Sequence, residues 1–222
     1  MMGTYNHMKH VSLSLPLGER GRLFGANRDG SASSRVGVFG GSFNPIHKGH
    51  IALARQILRK AKLDEIWFLV TPLNPFKRTD TDLLADNLRL EMARAALSGM
   101  QGLVASDYEF HLPKPSYTWD TLRHLSKDHP EKEFVLIIGA DNWLKWDKWY
   151  HAGDILRNYE VVVYPREGCP VDESAMPQGV RLINTRLYKM SSTEIRKRVR
   201  EGKDIARLVP GCILESVKKY YR

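Results

Sequence analysis

From Arg35 onward, short apolar runs alternate with amphipathic stretches, and this alternation is what most narrows the folds open to the chain. The runs are "EIWFLVT" (65–71), "EFVLIIG" (133–139), "YEVVVYP" (159–165) and "VRLINT" (180–185), with a first strand predicted at 35–39 and a weaker one in "GLVASDY". Between them the 3.6-residue period predicts helices near 48–62, 83–99 and 117–129 and helical segments around 142–157; two more helices, 191–201 and 212–221, close the chain. The strands are continuously apolar rather than alternating, as in strands covered on both faces. Together these features predict an α/β fold: a Rossmann-like, doubly wound parallel sheet with helices on both faces. Ligands on such sheets bind at the carboxyl ends of the strands.

Composition sets the remaining bounds. The 222 residues allow one domain with a full core. No apolar run approaches the ~18 residues needed to cross a bilayer. Cys169 and Cys212 form neither a disulfide framework nor a CxxC pair, so a reducing cytoplasmic compartment is expected. Residues 1–34 are rich in Gly, Ser and Asn, and Pro16 breaks their one apolar alternation. They read as a flexible extension, too broken for a secretory signal, ahead of a domain over 35–222. "GANRDGS" (25–31) has the glycine spacing of a phosphate-binding loop but neither its lysine nor a preceding strand. Of the net charge of +9, residues 186–222 carry +7, with eleven Lys/Arg against four Asp/Glu. That places either an anionic ligand or a solvated helical face at the C-terminal end.

The first strand leads into "GVFGGSFNPIHKGHIALARQIL" (37–58). Gly40 and Gly41 let backbone amides approach phosphate oxygens, and the helix that follows favours negative charge at its N-terminus. Neither GxGxxG nor GxxxxGK[ST] is present, which excludes the usual hydride-transfer and P-loop sites. His47 and His50, three apart at the helix start, can face the same way. A zinc pair would more often be four apart and would need a third ligand, and none is spaced for it. Two structural histidines, or two donors aimed at a polyphosphate, remain. "KMSSTEIRKRV" (189–199) favours the second reading: Ser191 or Ser192 is a good N-cap, and Thr193, Arg196 and Lys197 fall in the first turns of a helix. Two such phosphate cradles on one α/β sheet favour the polyphosphate reading over two structural histidines. Asp141, just past the strongest strand, falls where the ligand crevice opens. Trp143, Trp146 and Trp149 form an i, i+3, i+6 stripe, of which Trp149 is the one expected to stack on substrate.

"GGSFNPIHKGH" resembles the GGxFxPxHxGH motif of the HxGH nucleotidyltransferases, "SSTEIR" resembles their SSTxxR signature, and "KMSST" is similar to the KMSKS loop of class I aminoacyl-tRNA synthetases. "PSYTWDTL" (115–122), "IIGADNWLKWDKW" (137–149) and "VVVYPREG" (161–168) are similar to segments of the bacterial nicotinate-nucleotide adenylyltransferase family, and the likeness runs in order from 36 to 221. The resemblance implies adenylyl transfer from ATP to nicotinate mononucleotide, with Mg²⁺ on the triphosphate. It also implies catalytic roles for His47, His50 and Arg196. Gly40, Gly41, Ser42, Phe43, Gly139, Asp141, Ser192 and Thr193 are implied at ATP, and Asn74, Lys77, Tyr117, Thr118, Trp149 and Tyr150 at the mononucleotide. No protein metal ligand, nucleic acid or membrane is implied, and a homo-oligomer is left open. Two departures bear on the mononucleotide phosphate: Phe76 stands where the family often has His, and His111 and Leu112 stand where it often has basic residues.

Two other readings compete. Another HxGH adenylyltransferase, such as one acting on phosphopantetheine, would share both signatures but usually lacks the "PSYT" and tryptophan segments. A nucleic-acid-binding module would interleave aromatics with bases, and the last 37 residues offer only Tyr188, Tyr220 and Tyr221.

Overall fold

All six strands run parallel, in the order β3-β2-β1-β4-β5-β6, in a computed structural model that describes residues 33–72 and 82–222. They are β1 (Ser34–Gly41), β2 (Glu65–Val70), β3 (Leu103–Ser106), β4 (Lys132–Gly139), β5 (Glu160–Tyr164) and β6 (Val180–Leu182). β1 is central and pairs with both β2 and β4. The first three strands are laid down outward on one side, and the chain then crosses back to place β4 on the other. The crevice of a doubly wound sheet opens where that order reverses, between the carboxyl ends of β1 and β4.

The two faces of the sheet separate two cores. Val36 and Val38 of β1 with Phe134, Leu136 and Ile138 of β4 pack under α3 (Thr118–Asp128) and α5 (Ala152–Asn158). Phe39, Val135, Ile137, Ile66 and Phe68 face the other way. There they meet α1 (Lys48–Lys60), α2 (Asp86–Leu97), α6 (Ser192–Arg200) and α7 (Leu214–Tyr220). Both faces of each central strand are buried, which is why these strands read as unbroken apolar runs.

Most differences from the sequence reading lie at element ends. β1 continues through Gly40 and Gly41, so the two glycines end a strand rather than begin a loop. β6 stops at Leu182, as suits an edge strand paired only with β5. The stretch expected to be helical over 142–157 is broken into α4 (Ala140–Trp143), a 3-10 turn (Trp146–Lys148) and α5, with His151 in a left-handed conformation (φ 54°) before α5. The tryptophans therefore do not form one helical stripe. Trp146 is buried and stacks on Trp149, with centroids 5.0 Å apart, while Trp149 is half-buried.

Candidate active site

His47 is the N-cap of α1, a role usually filled by a hydroxyl or carboxyl side chain. Its Nδ1 accepts the His50 backbone N–H, and the Nδ1 of His50 accepts the His47 backbone N–H, each at 3.3 Å. The rings stack with centroids 3.6 Å apart. Burial lowers the His47 pKa to about 4, assisted by the nearby Arg166 charge. Burial, His47 and Arg166 hold His50 well below its ordinary value. Both rings are thus neutral at pH 7. With each Nδ1 accepting, the ring proton sits on Nε2, so the pair offers two uncharged N–H donors. Gly49 between them is closely packed: a Cβ there would lie 3.0 Å from His47 ring atoms, so the ring would have to give by a few tenths of an ångström.

The loop before these histidines is tied down by buried polar groups. Arg89, fully buried, donates to the carbonyls of Ser42, Thr71 (3.0 Å) and Leu84 (2.9 Å) and pairs with Asp86. Asn44 Nδ2 donates to Asp82 O at 2.9 Å, and Asn44 Oδ1 accepts from Leu84 N and from Tyr221 Oη, the latter at 2.7 Å.

Two cavities flank this loop. The first, about 530 Å³, is lined by Gly40, Gly41, Gly139, Tyr117, Thr118, Lys148, Trp149 and Tyr150, over a floor that includes Glu109 and Ser116. The second, about 630 Å³, is lined by His47, His50, Asp141, Arg166, Arg186, Lys189 and Ser191. Tyr164, at the end of β5, lines both. At Gly139 a Cβ would collide with Asp141 Oδ1, so glycine lets Asp141 turn back toward Arg166, 3.4 Å away.

The structure brings most of the expected residues to these cavities, but five stand elsewhere. Arg196, expected on the triphosphate, is buried behind the loop, where Nη1 donates to Asn44 O at 2.8 Å. Ser192 Oγ donates to Pro45 O at 2.9 Å, and Thr193 is exposed outside both cavities. The N-cap of α6 is Ser191. Phe43 is buried against Phe68 and the edge of the His50 ring, while Ser42 offers its carbonyl to Arg89. Arg196, Ser192, Ser42 and Phe43 thus pack with or bond to the loop itself. Asn74, Lys77 and Phe76 lie outside the described residues. Of the basic C-terminal segment, Lys197, Arg198, Lys203 and Lys218 pair with neighbouring glutamates on the surface, and Arg200 pairs with Asp82. Arg186 and Lys189 reach the second cavity.

A family model described as cytidylyltransferase-like matches residues 38–198. A Bacteroides fragilis protein named "Probable nicotinate-nucleotide adenylyltransferase" is 47% identical over 174 residues, covering 78% of this chain and 86% of its own. The chain belongs to the nicotinate-nucleotide adenylyltransferase family, within the cytidylyltransferase-like group. A Bacteroides thetaiotaomicron relative of the same name is 42% identical over 85% of this chain and 93% of its own. Among solved structures, the Plasmodium falciparum nicotinic acid mononucleotide adenylyltransferase complexed with NaAD shares the fold, with a TM-score of 0.70 over 84% of this chain and 96% of that one, at 22% identity.

For this member of the adenylyltransferase family, sequence reading assigned no role to Arg89, Glu109, Arg166 or Tyr221. Arg166 carried a signal, since it lies two residues past the end of β5. Arg89 carried a weaker one, a charge beside the apolar stripe of an amphipathic helix.

Proposed function

We propose that this chain transfers the adenylyl group of ATP to nicotinate mononucleotide, releasing pyrophosphate, with ATP in the second cavity and the mononucleotide in the first. The observation that carries this reading is the pair of cavities meeting at Tyr164 beside the stacked, neutral imidazoles. The mononucleotide phosphate is already anionic at neutral pH, so no protein base is needed. One of its oxygens attacks the α-phosphorus, a new P–O bond forms, and the bond to the bridging oxygen breaks as pyrophosphate leaves. Catalysis is then positioning plus charge stabilisation. The Nε2–H groups of His47 and His50 serve the charge that builds on the phosphates, with Arg166 and Lys189 as nearby cations. ATP brings Mg²⁺ as part of the substrate.

In the first cavity, Trp149 provides a face for the pyridinium ring, and Thr118 and Tyr150 bring backbone amides for its carboxylate. Lys148 is a cation available to the mononucleotide phosphate; Lys77 and Asn74 are assigned there by resemblance alone. No helix among the described residues is long and apolar enough to cross a membrane, and the two free cysteines suit a reducing cytoplasm. The test is pyrophosphate release with ATP and, in turn, nicotinate mononucleotide, its amide and phosphopantetheine. Turnover fastest with the first supports the reading, and turnover fastest with phosphopantetheine overturns it.

A further inference from the structure

The floor of the first cavity holds an acid that a site for an anionic substrate would not be expected to need. Glu109 lies on the 3-10 turn Tyr108–His111 that follows β3 and is only 7% exposed. Thr121 Oγ1 donates to its Oε1 at 3.0 Å. Its Oε2 is buried without a hydrogen-bond partner, and so is Ser116 Oγ. Both residues line the same cavity. Burial pushes the Glu109 carboxyl up from its ordinary value, and the hydroxyls of Thr121, Thr71 and Ser116 offset only part of this; neither Thr71 nor Ser116 completes a hydrogen bond to Oε2. A buried carboxyl oxygen left without a donor is unfavourable, so an occupant that donates to it is bound more tightly.

We propose that Glu109 is a substrate-binding residue of the first cavity, its free Oε2 accepting a ribose hydroxyl of the bound mononucleotide. The inference rests on the proposed function, and the substrate's chemistry narrows it. In nicotinate mononucleotide the carboxylate and the ionised phosphate are acceptors, and the pyridinium ring carries no N–H. The ribose 2′- and 3′-hydroxyls are its only neutral donors. They are adjacent on the sugar, and the cavity floor offers two free polar atoms, Glu109 Oε2 and Ser116 Oγ. A ribose diol fits that pair, and a deoxyribose would leave one of the two atoms unpaired.

The test is a cycle between enzyme and substrate, read as kcat/KM for pyrophosphate release with nicotinate mononucleotide and its 2′-deoxy and 3′-deoxy analogues. In the wild-type enzyme at least one deoxy analogue should fall about 10- to 100-fold, the range for a hydrogen bond to a charged acceptor. In Glu109→Leu the ribonucleotide should fall by a similar factor, the same deoxy change should cost less than about twofold more, and KM for ATP should hold. Wild-type indifference to both deoxy analogues, or a full deoxy penalty persisting in Glu109→Leu, overturns the inference. If Glu109→Leu does not fold, Glu109→Gln keeps the side-chain volume and should shrink the penalty by at least about threefold; an unchanged penalty there is equally decisive against it. Absence of turnover with nicotinate mononucleotide itself would instead sink the proposed function.

Discussion

His47 Nδ1 accepts the backbone N–H of His50, and His50 Nδ1 accepts the backbone N–H of His47, both at 3.3 Å, so each imidazole is held by the other's main chain. The arrangement fixes the tautomer of both rings and leaves an uncharged Nε2–H donor on each, in residues that line the second cavity. Removing one of them should cost catalysis more than folding. His50→Ala is expected to lower kcat on the order of 10²-fold, and His47→Ala somewhat less, with the fold retained by circular dichroism. Near-normal turnover by folded His50→Ala would contradict the phosphate role.

Gly49 tests the same geometry without deleting a donor. A Cβ at this position presses on the His47 ring from 3.0 Å. Gly49→Ala should lower kcat roughly tenfold, on the order of a misplaced transition-state donor. The change in Tm should be small, because alanine favours the helix interior more than glycine does.

The pH dependence follows from the lowered imidazole pKa values. The folded-state value for His47 is about 4, against 6.5 for an ordinary histidine. Between those values the unfolded chain binds the proton and the folded chain does not. Stability is therefore full above about pH 6.5 and is lost as pH falls toward 4, by on the order of 3 kcal/mol from His47 alone. Tm measured from pH 7 to pH 4.5 should fall less in His47→Gln than in the wild type. Above pH 6.5 both rings are already neutral, so kcat should show no descending limb as pH rises toward 8; such a limb would mean that an imidazolium is required.

Much of this was legible from sequence because the two histidines and the terminal glycines of β1 sit together in one segment, and a parallel strand followed by a helix leaves few places for them to go. The roles of Arg196 and Ser192 were not legible. Their motif identifies them, but only the packed loop shows that Arg196 meets Asn44 O and Ser192 meets Pro45 O, each about 150 residues away in the chain. Glu109 gave no signal at all, since a turn acid in "DYEFH" reads as solvated until α3 closes over it.

Arg196 therefore separates two accounts. Buried and bonded to Asn44 O, it should act through the loop: Arg196→Ala leaves that carbonyl unpaired and should cost about 1–3 kcal/mol in stability along with activity. A raised KM for ATP with unchanged Tm would place the guanidinium on the triphosphate instead. Tyr221→Phe, which removes a second bond to Asn44 while Leu84 N still donates, should cost about 1 kcal/mol.

The first cavity should prefer the acid to the amide. The resemblance implies backbone amides near Thr118 and Tyr150 at this group; such donors suit two carboxylate oxygens and meet an opposing NH₂ in a carboxamide. One or two such mismatches predict a preference of roughly 10- to 1,000-fold in kcat/KM for nicotinate mononucleotide over its amide. Equal efficiency would indicate dual specificity. Trp149→Ala should weaken both substrates alike, because ring stacking does not read that difference.

The central claim is that the imidazoles stabilise charge and never bond to phosphorus. The stereochemistry at the α-phosphorus tests it most directly, using ATP made chiral there by sulfur substitution and nicotinate mononucleotide as acceptor. A single in-line attack by the mononucleotide phosphate predicts inversion of configuration in the dinucleotide product. Retention would require two displacements through an adenylylated side chain, with His47 or His50 as nucleophile, and would contradict the account.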